Sequence, residues 1–265
     1  MSLGKWILCL ICGFILFFIL YAFAQLADLI RNSWIQMGAN VLTAVLGVFL
    51  YAVWTNLTEH RPVTELALKR VGKDTGLGLL TGVLYFAVVA GLMALAGCYR
   101  ITGAHFNFPA QLQAFCLFLP VAVFEEVLFR GIVFRMIDDR WNTVVALLIS
   151  ALIFGAIHLP NPGATLWSAF AIAVEAGVLL AAAYKYSGTL WLPIGIHWAW
   201  NYVQGNVLGF AVSGNPMEEK VFSAVIAGPD WLTGGLFGAE ASVIAVVVGL
   251  LLAFVFLYGS PKERR

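Results

Sequence analysis

The stretch Pro120-Val121-Ala122-Val123-Phe124-Glu125-Glu126-Val127-Leu128-Phe129-Arg130-Gly131-Ile132 sets two acids and an arginine inside an otherwise apolar run. Its apolar character continues on both sides, as it does for most of the chain. Of 265 residues, 62% are hydrophobic and 11% charged, and mean hydropathy is +0.91. Soluble domains average about 45–50% apolar and about 25% charged. Too little polar surface exists here to cover a water-soluble globule. A formal charge of +1, with no basic run longer than two residues, excludes nucleic acid as a partner. The four cysteines all fall in apolar runs and make no disulfide framework. The composition describes an integral protein of the lipid bilayer.

A helix needs roughly 20 apolar residues to cross the hydrocarbon. On that criterion the uncharged runs predict an all-α polytopic bundle of eight transmembrane helices, at 6–27, 34–55, 76–98, 111–134, 142–158, 165–184, 190–210 and 241–258. The long run 141–174 is divided by Leu159-Pro160-Asn161-Pro162-Gly163, which stops a helix. With the N-terminus inside, twelve of the fifteen Lys and Arg fall on the cytoplasmic side, including Lys262, Arg264 and Arg265. Only Arg31, Arg100 and Lys220 fall outside, so both termini are expected in the cytoplasm of a multi-pass cell-membrane protein. Ala22-Phe23-Ala24 imitates a signal cleavage site, but the preceding run exceeds a signal core, so the first helix is expected to be retained. Segment 56–75 reads as an amphipathic surface piece, with Leu66, Leu68 and Val71 dipping into the interface.

An ionisable side chain in lipid costs about 2.5–3.5 kcal/mol at a helix centre and is normally paired or marks a site. Such residues concentrate in spans four to seven: Glu125, Glu126 and Arg130; His158; Glu175; His197 with Asn201. This block predicts a four-helix catalytic core. Residues i and i+4 share a helix face, so Glu126 is expected to pair with Arg130 while Glu125 is left to face a cavity. Phe154 and His158 share a face by the same spacing, as do His197 and Asn201. A free carboxylate and two imidazoles in a site of low dielectric could activate water, directly or through zinc. Glu175 could line the cavity, face an adjacent helix or pair near Lys185. Taking the inner end of the fourth span at Arg130 puts Glu125 about 8 Å deep, so the cavity is expected to open inward.

Three motifs then stand in order on separate predicted helices: Glu125-Glu126-x-x-x-Arg130, Phe154-x-x-x-His158 and His197-x-x-x-Asn201. The set closely resembles the CPBP family of intramembrane proteases, which includes the CAAX prenyl proteases of the Ras-converting type. Val212-Ser213-Gly214 and the stretch Thr233 to Glu240 also resemble a late outer loop of bacterial members. The resemblance covers roughly 58–258, which sets 1–57 apart as accessory helices and 58–265 as the protease-like region, its core at 110–210. It implies an endopeptidase acting on a membrane protein or peptide. Glu125 would be the general base and His158 would help hold the water, while His197 and Asn201 would donate to the oxyanion. Glu126, Arg130 and Phe154 would support them. No cofactor is required by this scheme, although Glu125, His158 and His197 could instead ligate zinc. Two other classes stay open, a non-catalytic membrane binding or immunity factor and a proton-coupled transporter.

Overall fold

Polar residues at the edges of the apolar runs start the helices. Asn32, Asn107 and Asn142 each accept a backbone N–H from the first turn that follows, and Thr165 forms a capping box with Ser168. The computed structural model describes residues 2–259. Its helices are α1 (Leu3–Ala24), α2 (Ser33–Glu59), α3 (Val71–Leu95), α4 (Phe108–Arg140), α5 (Thr143–Ile157), α6 (Leu166–Ser187), α7 (Trp191–Tyr202) and α8 (Val243–Gly259). Helices lie at the eight apolar runs, and the chain is a predominantly helical, multi-pass membrane protein. Five of them, α1–α4 and α6, are long and apolar enough to cross a membrane. At 15 and 17 residues, α5 and α8 span only about 22–26 Å.

One element departs from the all-α expectation. β1 (Tyr99–Ala104) and β2 (Phe222–Ile226) pair antiparallel, from Tyr99 opposite Ile226 to Ala104 opposite Phe222. β1 was hidden at the head of an uncharged run that reads equally as helix. The hairpin joins the α3–α4 connection to the long segment before α8, where Tyr99 also donates to the Leu208 carbonyl at 2.9 Å.

Two ends of the bundle are distinct. At one, Trp6 donates to the Met136 carbonyl at 3.1 Å, and Arg135 pairs with Glu59 at 2.5 Å. Lys185 pairs there with Asp138. The segment read as amphipathic lies at this end as two short 3-10 turns, Thr64–Leu66 and Leu68–Arg70. Leu66 is buried rather than interfacial, and among its apolar residues Leu68 stands out at 78% exposure. Glu65 is buried, bonded to Arg61 and to Tyr51. Burial opposes its ionisation, but hydrogen bonds from Arg61 and Tyr51 outweigh that and hold its carboxyl below the usual range. The opposite end carries the hairpin and the 211–240 segment. Lys262, Arg264 and Arg265 lie outside the described residues.

One close helix contact in the bundle needs glycine on both sides. A Cβ at Gly78 would lie 2.4 Å from the Leu192 carbonyl, and one at Gly82 would lie 2.6 Å from the Ile196 carbonyl. Gly195 answers from α7, where a Cβ would meet the Thr75 carbonyl at 2.5 Å. Gly78-x-x-x-Gly82 thus lets α3 and α7 touch backbone to backbone, the small-residue packing of membrane helices. That contact seats the helix that carries His197 and Asn201. Gly78→Val should therefore cost at least about 1–3 kcal/mol through overpacking, read as a lowered thermal midpoint in detergent. Gly91→Val, on the same helix with open space around it, should leave the midpoint near that of the parent.

Candidate active site

The acids of α4 part ways as the i, i+4 geometry requires. Arg130 Nη1 donates to Glu126 Oε1 at 2.8 Å, with both side chains fully buried. Arg130 Nη2 reaches across to the carbonyls of Ala176 and Gly177 at 2.9 and 3.3 Å. Those carbonyls sit at a π turn of α6, Ala173–Gly177, where the helical ladder is loosened. Two more π segments follow the motif residues directly, Val127–Phe134 in α4 and Val203–Val207 after α7. Pro120, one turn before Glu125, further interrupts the α4 ladder.

His197 Nδ1 donates to the same Glu126 Oε1, at 2.8 Å. The ring therefore turns Nε2 the other way, to within 3.9 Å of Glu125 Oε2. Glu125 keeps 14% of its side-chain surface exposed and lines a cavity of about 400 Å³. His158, Asn201 and Phe154 line the same cavity. His158 Nδ1 donates to the Phe154 carbonyl at 2.7 Å, which leaves Nε2 to the cavity. Phe154 is the packing hub: its ring meets those of Phe129, His158 and His197 at 4.9, 4.7 and 6.5 Å. The Arg130 guanidinium lies 4.8 Å over it.

Glu175 takes no part in the cavity. It is buried against α3, where the Tyr85 hydroxyl donates to it and also to the Ala245 carbonyl; of the three readings open to it, it faces an adjacent helix. Two contributors to the wall were not anticipated. Tyr21 and Gln25 come from the end of α1, a helix assigned to the accessory region. Ser213, Asn215, Met217 and Glu240 come from the 211–240 segment. The Thr233 to Glu240 resemblance was the available signal for the last of these.

The cavity does not open at the end of the bundle that bears the N-terminus. Its rim is built from Gln25, Asn161, Ser213 and Asn215, at the ends of α1, α5 and α7 beside the hairpin. An inward opening and inward termini are therefore mutually exclusive. The inward expectation had taken Arg130 as the membrane boundary. Arg130 is buried, and α4 continues to Arg140, which leaves Glu125 about 22 Å from that end.

Among the described residues, no three His, Cys, Asp or Glu side chains converge as metal ligands. One nitrogen of each imidazole is already committed, to Glu126 and to the Phe154 carbonyl. Both imidazoles keep Nε2 uncommitted, and their Nδ1 bonds would orient a zinc-ligating histidine as readily as a metal-free one.

Residues 107–203 match the type II CAAX prenyl endopeptidase Rce1-like family. The match contains all three motifs. The family match and the motif resemblance thus fall on the same stretch of the chain. It is also 29% identical over 151 residues to YdiL of Bacillus subtilis (strain 168), a protein whose name designates it a candidate membrane peptidase. That alignment covers 52% of this chain and 59% of the relative. No solved structure matches the chain.

The geometry separates two adjacent glutamates by what each loss would do. Glu126→Ala strands the buried Arg130 charge and should cost about 3–5 kcal/mol. Glu125→Ala, at the cavity wall with no such partner to strand, should leave thermal stability nearly unchanged. Parallel melting curves of the two purified variants check this contrast.

Proposed function

We propose that this protein is an Rce1-like intramembrane endopeptidase that hydrolyses a peptide bond of a membrane-associated protein or peptide. The observation that carries the reading is the approach of the Glu125 carboxylate to His197 Nε2, 3.9 Å, inside a cavity shared with His158 and Asn201. In this scheme Glu125 takes a proton from a water molecule as that water attacks the scissile carbonyl. His158, its Nδ1–H committed to the Phe154 carbonyl, accepts a hydrogen bond from the same water through Nε2. The developing oxyanion receives hydrogen bonds from Asn201 and from His197. Because Nδ1 of His197 is already donating to Glu126, donation from Nε2 requires the imidazolium form. Glu125 then returns its proton to the leaving amine.

Every step uses side chains of this chain, and the reading is metal-free. Removing a positioned base typically costs 10²–10⁴ in rate, and removing one oxyanion donor about 10²–10³. Proteomics of membrane fractions from cells carrying wild-type or Glu125→Ala protein should show an unprocessed precursor accumulating in the variant. An intact phenotype with normal expression of Glu125→Ala, His158→Ala and His197→Ala would instead favour a binding or immunity factor.

The charge asymmetry supports cytoplasmic termini in the cell membrane. The cavity would then receive its peptide from the outer side. A membrane-impermeant maleimide should label Asn215→Cys on intact cells, whereas Gly4→Cys should need permeabilisation. The reverse pattern would overturn the orientation and leave the chemistry untouched.

A further inference from the structure

One acid in the cavity wall is left unused by this scheme. Glu240 is fully buried between α7 and the segment before α8, yet it borders the same cavity as Glu125. Its carboxylate faces donors. Oε1 accepts the backbone N–H of Ser213, and Oε2 accepts Trp200 Nε1–H at 3.3 Å. Trp200 immediately precedes Asn201 and lies three residues after His197, and its ring stacks on Tyr85 at 4.6 Å. Ser213 holds a left-handed φ of 48° at the crest of the cavity rim. Beside it, Gly214 passes so near Pro162 that a Cβ would lie 1.8 Å from the Pro162 carbonyl. The rim is therefore a folded strap rather than a loose loop. One carboxylate joins it to the helix bearing two of the motif residues.

We propose that Glu240 is a positioning residue that latches the Val212–Asn215 rim onto α7 and so sets how widely the cavity admits a peptide. The inference rests on reading this cavity as the peptide site, but its test does not require turnover. The titratable groups facing Glu240 are Glu175 and Tyr85, neither of which supplies a compensating positive charge. Burial pushes the Glu240 carboxyl up to about 7, against the opposing hydrogen bonds from Ser213, Trp200 and Gln204. A closed rim then holds the proton more tightly than an open one, in which the carboxyl would return toward its ordinary value of 4.5. By linkage, the rim loosens as pH rises through that window and stays constant above it.

The experiment uses the full chain with its four cysteines replaced by alanine and Val121→Cys, which lines the cavity about one turn from Glu125, as the probe. The labelling rate with a water-soluble maleimide is divided by that of Leu236→Cys, a site 83% exposed, which removes the thiol's own pH dependence. The ratio should rise several-fold from pH 5 to 8 in the parent. Glu240→Gln, neutral like the protonated acid, should flatten the profile and lie near the parent's pH 5 ratio at every pH. Trp200→Phe keeps the ring stack, removes one donor, and should raise the ratio at every pH. A flat parent profile, or a Trp200→Phe ratio within twofold of the parent with an unchanged melting curve, overturns the latch. Expected labelling combined with no precursor in the Glu125→Ala cells would refute the peptidase reading alone.

Discussion

A single oxygen, Glu126 Oε1, organises the centre of this protein. It accepts from Arg130 on its own helix and from His197 on α7, each at 2.8 Å. An arginine buried in the bundle is tolerable only with its charge met, and this carboxylate meets it while Ala176 and Gly177 satisfy another guanidinium nitrogen. The same contact orients the imidazole, so that its second nitrogen faces Glu125. Glu126 is thereby spent on structure, and its neighbour is left exposed to the cavity.

Two kinds of local irregularity bring the partners to that oxygen. Gly78, Gly82 and Gly195 bring the α3 and α7 backbones into contact, which fixes the depth and rotation of His197. π turns widen α4, α6 and the end of α7 beside the polar residues, and such turns often accompany functional sites. Phe154 fills the space between Arg130 and both histidines. The polar cluster is thus enclosed by aromatic and small residues while one side remains open to a cavity.

Much of this was legible in the sequence because burial makes charge conspicuous. Glu125, Glu126, Arg130, His158 and His197 stand out against an apolar background, and i, i+4 spacing alone separated the pairing acid from the free one. Other features had no such contrast. Glu175 was left among three readings because its partner Tyr85 is ninety positions away and carries no formal charge. β1 lay inside an apolar run whose composition suits either secondary structure. The depth of Glu125 was misread because Arg130 was taken as a boundary charge; only its burial reveals that the helix continues past it. Glu240 stood next to an apparent loop, and its contacts depend on a rim whose fold no periodicity announces.

The most direct test of the account concerns the hydrogen bond at Glu126 itself. In protein carrying ¹⁵N-histidine, with the His197 ring assigned by His197→Gln, proton-detected NMR should show a strongly deshielded Nδ1–H. That resonance should persist in Glu125→Gln and vanish or move far upfield in Glu126→Gln. Its persistence in Glu126→Gln, or its loss in Glu125→Gln, would contradict the division of labour between the two acids.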